Sequence, residues 1–297
     1  MISVFKRKTT GDAIFDMFNI VIMVAVCFIV LYPIWYTLVN SFNNGQDAML
    51  GGIYWWPRMF TFDNYKEVFR DNSILTAFMV SIARTLIATT LSVFFTAMVS
   101  YGLSKKDLVG RNLYLIIGTI TLFFSGGLIP YFLLIKQLGM YDKFIVYIIP
   151  SLFYFYNTII YMAFFREIPT SLEESAKIDG ANDFVIFVRL IIPLSKPILA
   201  TMALFTGVYH WNDYFMGIIY INNANLQPIQ TFLYRIISES STHTMLLNAP
   251  SEITANSITS QSLKLATMCV TTLPIVCVYP FLQKHFVKGM LLGSIKG

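Results

Sequence analysis

The chain of 297 residues is 56% hydrophobic and 12% charged, with a formal net charge of +5 and a mean hydropathy of +0.63. A soluble globular domain carries about 25% charged residues, so this composition leaves too little polar surface for a water-borne fold and places the chain in a bilayer. The excess of 21 Lys and Arg over 16 Asp and Glu then bears on membrane sidedness and gives no argument for nucleic acid.

Six apolar runs are long enough to span, at about 1.5 Å per residue of helix. The first, residues 14–39, follows Lys6, Arg7 and Lys8; it is too long for a signal peptide and no small-residue cleavage site follows, so an uncleaved span is expected. Residues 43–73 are polar and aromatic, with Trp55-Trp56-Pro57 suited to the headgroup belt and a short amphipathic helix near Phe62 to Phe69. The second span covers 74–103 and is closed by Ser104-Lys105-Lys106-Asp107. The third, 113–134, is interrupted by Ser125-Gly126-Gly127 and Pro130. Such a break frees backbone groups that hydrocarbon cannot satisfy, so it either faces protein or a watery path or is a kink that serves packing. Spans at 144–165, 198–221 and 263–282 complete the set, with a polar Asn/Ser/Thr-rich segment at 222–261. Cys27, Cys269 and Cys277 sit within apolar runs and read as small core hydrophobes. His210, His243 and His285 are too scattered to form a metal site.

The interval Ile168 to Pro197 is the one long charged stretch between spans. Pro169 fixes its entry, and Thr170 with Glu173 and Ser171 with Glu174 give two S/T-x-x-E spacings, which predict a capped helix beginning near Ser171. Leu172, Ser175, Ala176 and Asp179 then share one face, and Gly180 stops the helix in a left-handed conformation. Asn182 or Asp183 starts a second segment with an apolar stripe of Phe184, Phe187, Val188 and Ile191, which Pro193 and Pro197 end or bend. Thirteen of the 21 Lys and Arg fall on the side of this interval and of both termini, seven on the other, and Arg84 within a span. The positive-inside rule therefore puts both termini and 168–197 in the cytoplasm.

Glu174-Ser175-Ala176, Gly180 three residues beyond Lys177, and Leu190-x-Ile192-Pro193 resemble the E-A-A, G, I-x-L-P cytoplasmic loop of ABC importer permeases, with Ser175 in place of the middle Ala and Ile192 in place of Leu. FSGGLIPYFLLIKQLGMYDKF, Trp211-Asn212 and the tail FVKGMLLGSIKG look like the carbohydrate-uptake branch of that family, in particular permeases for oligosaccharides and polysaccharide fragments. The resemblance implies an all-α integral membrane protein of the type I importer kind, a single permease domain over 1–297 in the bacterial inner or plasma membrane. It implies that Glu174, Ser175, Ala176, Asp179, Gly180, Leu190 and Pro193 form the ATPase-coupling surface. It also implies partners: a second, related permease in a heterodimer, two ATPase subunits that bind the ATP and Mg, and an extracytoplasmic solute-binding protein that delivers the sugar. No cofactor is expected in this chain itself.

Ionisable groups within spans are functional suspects. Arg84 lies about 15 Å and Asp213 about 12 Å from the outer edge at 1.5 Å per residue, so the two either pair or line the pathway. Trp211 and Asn212 offer an aromatic plate and an amide for a sugar, or pack. Tyr154, Tyr156 and Asn157 form a facing wall, or contact the companion subunit. The chain has no P-loop, no H-E-x-x-H and no G-x-S-x-G, which disfavours an enzyme, and six spans with one elaborate inner loop fit a half-transporter better than a secondary transporter.

Overall fold

The computed structural model describes residues 10–70, 72–246, 259 and 261–277. The basic cluster Lys6-Arg7-Lys8, residues 278–282 of the sixth expected span and the tail motif lie outside the described residues. The described residues are helical, without named strands, and the chain divides into two compact units, Met1–Arg70 with Glu239–Val270 and Asp71–Ser238 with Thr271–Gly297.

In the first unit, helix α1 (Thr10–Ser41) runs 32 residues, about 48 Å at 1.5 Å per residue, and its apolar side chains from Ile14 to Ile34 are exposed. Its end is tied down by amides. Asn64, fully buried, donates to the Ser41 and Asn43 carbonyls at 2.8 Å each. Asn43 donates to Asp47 Oδ2 at 2.8 Å and accepts from the Met59 amide at 2.8 Å. Arg58 closes the loop onto Asp47 at 3.1 Å and onto the Gly51 carbonyl at 2.8 Å. The short helices α2 (Gly45–Met49) and α3 (Asp63–Arg70) flank this network, α3 falling where the sequence predicts it.

The second unit is organised around α4 (Asn72–Ser104), 33 residues long. Ile74, Ala77, Ser81, Arg84, Ala88, Ser92, Thr96 and Ser100 are its buried stripe, spaced by three and four. Most are small, which lets neighbouring helices approach closely. The third expected span is divided: α5 (Arg111–Phe123) and α6 (Leu128–Gln137) meet at 118° across Phe124–Gly127. Gly127 adopts φ 81° there, a conformation cheap only for glycine, and Pro130 has no N–H with which to continue a ladder. The fourth opens with two 3-10 turns, Phe144–Tyr147 and Ile149–Ser151, before α7 (Phe155–Phe165). Gly118 of α5 sits under the Phe155 ring so closely that a Cβ would fall 2.1 Å from it.

After the charged interval, described below as α8 to α10, come α11 (Lys196–Asn212) and α12 (Phe215–Tyr220), broken at Asp213-Tyr214 inside the expected fifth span. Asp142, with φ 57°, accepts from the Asn222 and Asn223 amides at 2.9 and 2.8 Å, and its own amide donates to the Tyr220 carbonyl at 2.9 Å. This fastens the turn after α6 to the end of α12. Helices α4, α7 and α11 enclose the core with the segment after α8: Tyr101, Tyr161, Phe165, Phe187, Ile191 and Met202 are buried together.

The polar 222–261 segment contains α13 (Ile229–Leu246), in which Ile229, Phe232, Leu233, Ile236 and Ile237 recur at helical spacing despite polar neighbours. A last described helix, α14 (Gln261–Cys277), follows. Cys27 and Cys277 are exposed rather than in the core, and Cys269 is half-buried; on helices that are apolar all round, membership of an apolar run does not say which face is inside.

Candidate functional site

Two places gather the residues singled out in the sequence. The first is the charged interval. Helix α8 (Thr170–Ile178) begins one residue earlier than predicted, directly after Pro169, and no side chain caps it. The hydroxyl-carboxylate capping expected of Thr170 with Glu173 and of Ser171 with Glu174 does not form. A stronger partner takes Glu173: its carboxylate forms an ion pair with Lys105 at the end of α4 and accepts from the Tyr101 hydroxyl at 3.3 Å. A full charge outweighs a backbone amide for a carboxylate that reaches both. The Lys105 ammonium also lies 4.2 Å from the centre of the Tyr101 ring. Burial, then the nearby Lys177, hold its pKa below the usual lysine value, against the opposing pull of Asp183 and Asp107.

The helix ends as Gly180 requires. Gly180 adopts φ 83°, its amide donates to the Lys177 carbonyl at 3.0 Å, and the Ala181 amide reaches back to the Ala176 carbonyl at 3.0 Å. These two bonds are the pair that closes a helix through a left-handed residue. Asn182 rather than Asp183 caps the next helix, α9 (Asp183–Ile186), its Oδ1 accepting from the Val185 amide at 2.9 Å. One π-helical turn over Phe187–Ile191 follows, then the short α10 (Ile192–Leu194), and the whole segment meets α11 at 83°. The wide turn lies where the Pro193 ring would crowd the carbonyl four residues back. It also explains why the predicted stripe splits: Phe187 and Ile191 are buried, whereas Phe184 and Val188 are 58% and 38% exposed.

No residue of α8 is buried. Glu174, Ser175, Asp179 and Gly180 are exposed, Ala176 and Leu190 rest half-buried on the core, and Pro193 is exposed. Between α8 and the turn after α4 lies a groove of about 1070 Å³, lined among others by Lys105, Glu173, Glu174, Lys177, Asp183 and Phe184. Sequence reasoning missed this groove, since its two walls are nearly seventy residues apart; the Ser104-Lys105-Lys106-Asp107 run was its only signal.

The second place is the buried charge pair. Arg84, fully buried, forms an ion pair with Asp213 and donates from Nη1 to the Asp213 carbonyl at 2.9 Å. Its guanidinium carbon lies 4.4 Å from the centre of the Tyr147 ring. The other Asp213 oxygen, Oδ1, accepts from the Phe215 amide at 3.0 Å, so this carboxylate both neutralises Arg84 and starts α12. His210, one turn back from Asp213, is 1% exposed and has no hydrogen-bond partner for either ring nitrogen among the described residues. Its three-residue spacing from Asp213 was the available signal.

The remaining pathway candidates separate. Trp211 is buried; its Nε1 donates to the Thr271 carbonyl at 3.1 Å and its ring meets Phe78 edge-on. It lines an apolar cavity of about 370 Å³ between α4 and α11. Asn212 is exposed and donates to the Val208 carbonyl at 2.9 Å. Tyr154 lines a different cavity, Tyr156 is 64% exposed and Asn157 half-buried. The structure thus brings Arg84 and Asp213 together but does not bring Trp211 and Tyr154 into one cavity.

Residues 1–292 match the family model described as the binding-protein-dependent transport system inner membrane component. The chain belongs to that family. This inner membrane component is 40% identical over 296 residues to Protein LplC of Bacillus subtilis, covering 98% of each chain. It is 39% identical to the polygalacturonan/rhamnogalacturonan transport system permease protein YtcP of the same organism, covering 96% of this chain and 99% of that one. Among solved structures it resembles, with a TM-score of 0.86 and 29% identity, a chain of a bacterial ABC transporter involved in the import of the acidic polysaccharide alginate, covering 95% of this chain and 99% of that one. The inner membrane component accordingly has the helical type I permease fold.

Proposed function

We propose that the chain is the permease subunit of an ATP-driven importer that moves an oligosaccharide or polysaccharide fragment delivered by an extracytoplasmic binding protein. Relatives named for polygalacturonan/rhamnogalacturonan and arabinooligosaccharide transport support the substrate class. In this reading the chain crosses the bacterial cell membrane six times, over the spans given above, with both termini cytoplasmic. It pairs with a second, related permease, and two ATPase subunits bind ATP and Mg. The chain itself carries out no chemistry.

The observation that carries the reading is the form of 168–197. A nine-residue helix without a buried residue, stopped by left-handed Gly180 and anchored through Ala176, Leu190 and the Lys105–Glu173 pair, presents a fixed exposed edge. That edge suits a cleft on another protein, and Glu174, Ser175, Asp179 and Gly180 stand on it. A rigid link from α8 through the π-helical turn and Pro193 to α11 would carry movement of the ATPase into the span that holds Asp213.

Two measurements test this. Purification of the tagged chain from its native membrane should bring down a P-loop ATPase. Single cysteines in a background lacking Cys27, Cys269 and Cys277 should react with an impermeant maleimide in whole cells when placed in 43–70 or 222–246, and should not react when placed in 104–111 or 166–196. Outside labelling of 166–196 would reverse the orientation and end the coupling argument.

A further inference from the structure

The bend between α5 and α6 opens a cleft of about 390 Å³ that the buried charge pair does not enter. Tyr131, Tyr154, Tyr209 and Phe215 line it, 39%, 39%, 48% and 46% exposed, over a floor that includes buried Tyr220. Tyr154 and Tyr209 meet edge-on at 6.2 Å, as do Tyr131 and Tyr220 at 6.3 Å. The rings are thus braced by one another and not only by aliphatic packing. The fourth side is backbone. Among the described residues, the Ser125, Gly126 and Gly127 amides and the Ser125 and Gly126 carbonyls make no hydrogen bond. The Gly126 carbonyl would be served by the residue four positions on, which is Pro130 and has no N–H. Nothing lies within 4 Å of where a Cβ would stand on Gly126 or Gly127.

Open backbone groups at membrane depth persist only where they line a polar path, and aromatic rings beside free donors and acceptors match the two surfaces of a sugar ring. Apolar C–H faces stack on the rings, and the hydroxyl rim meets the backbone and the phenols. Not one lining residue is charged, and the nearby Arg84 is fully buried and neutralised by Asp213.

We infer that this cleft is a sugar subsite of the permease, which holds one ring of the passing chain by stacking and hydroxyl contacts and reads no charge. The inference rests on the carbohydrate reading above and adds to it that discrimination between neutral and acidic sugars does not come from this cleft.

The test uses the complete transporter in proteoliposomes with its companion permease, ATPase and binding protein, supplied with arabinotriose, galactotriose or trigalacturonate. Absence of ATP-dependent uptake of all three by the unmodified transporter would overturn the carbohydrate reading itself. Where the unmodified transporter is active, Tyr131→Ala and Tyr209→Ala should each reduce uptake about tenfold, the equivalent of one lost stacking contact, while Tyr131→Phe and Tyr209→Phe retain most of it. The loss should be equal for every sugar transported. Undiminished uptake by the Tyr131→Ala/Tyr209→Ala double variant, at normal complex levels, would overturn the cleft, as would a loss confined to the uronate. Because ring truncation can disturb packing, Gly126→Cys in the cysteine-free background gives a second arm. Whatever rate it shows unlabelled, that rate should fall to background once a thiol reagent fills the cleft, whereas the same reagent should leave the cysteine-free parent unaffected. Full transport after complete labelling would also overturn the inference.

Discussion

Two of the ion pairs in the unit around α4 join a cation to a carboxylate in contrasting surroundings. Arg84 and Asp213 have side chains 0% and 9% exposed, with Tyr147 over the guanidinium; Lys105 and Glu173 are 27% and 14% exposed, at the lip of the groove beside α8. In the first, each charge has lost its water and depends on the other. In the second, solvent and salt stand ready to replace a lost partner. The contrast teaches that the buried pair decides whether the helices assemble, whereas the lip pair decides how firmly the exposed helix is held once they have.

The sharpest way to break that comparison is to remove one member of the buried pair. Arg84→Gln or Asp213→Asn leaves an uncompensated buried charge, at a cost of about 3–5 kcal/mol, and should sharply lower the yield of folded protein and its thermal midpoint in detergent. The double variant should recover much of the loss. Equal stability of both single variants and the parent would show that water reaches the pair.

Breaking the lip pair should do far less. Glu173→Gln or Lys105→Gln should shift global stability by no more than about 1 kcal/mol, and by less at high salt. The local effect should still be visible, as faster hydrogen exchange over 170–178 with the rest of the chain unchanged. A shift as large as that of Arg84→Gln would mean that α8 is part of the folding core.

The smallest expected effect sharpens the comparison in the other unit. Asp47 is held below the usual carboxylate range first by its hydrogen bond from Asn43, opposed next by desolvation, with the hydrogen bond and charge of Arg58 adding to the lowering. A depressed carboxylate contributes stability that is present above its unfolded pKa of about 3.9 and is lost as pH falls through the lower folded value. Tryptophan fluorescence should therefore report loosening of the loop that holds Trp55 and Trp56 only on strong acidification, and Asp47→Asn should remove that acid step. A transition near neutral pH in the parent would assign it to another group.

Sequence and structure agree best where the information is local. Gly180 as a helix stop, Asn182 as a cap and the helix at Asp63–Arg70 depend on residues within one or two turns, and all are present. The pairing of Arg84 with Asp213 was legible only as matched depth, because 129 residues separate them. What escaped was set by competition and by rotation about helix axes. Glu173 forsook its capping role for Lys105, whose approach depends on how α4 ends. Trp211 and Tyr154 went to different cavities because Tyr209, two residues back on α11 and so about 200° round the helix, is the residue that faces Tyr154. The aromatic cleft could be suspected from Ser125-Gly126-Gly127 and Pro130, but Tyr209 and Phe215, which complete it, come from the far end of another span.

In the proposed function, the exposed edge of α8 converts ATP hydrolysis on a partner into transport. ATP hydrolysis stimulated by the loaded binding protein should be measured in proteoliposomes holding the complete transporter with Gly180→Val. The left-handed φ of 83° at Gly180 is open in space but strained for a branched side chain, so the change should alter the helix end without reaching the buried pair. Normal amounts of assembled complex are expected, in which stimulation by sugar-loaded binding protein is lost or falls at least about tenfold, equivalent to about 1.4 kcal/mol. Full stimulation and full uptake by Gly180→Val would contradict coupling through α8.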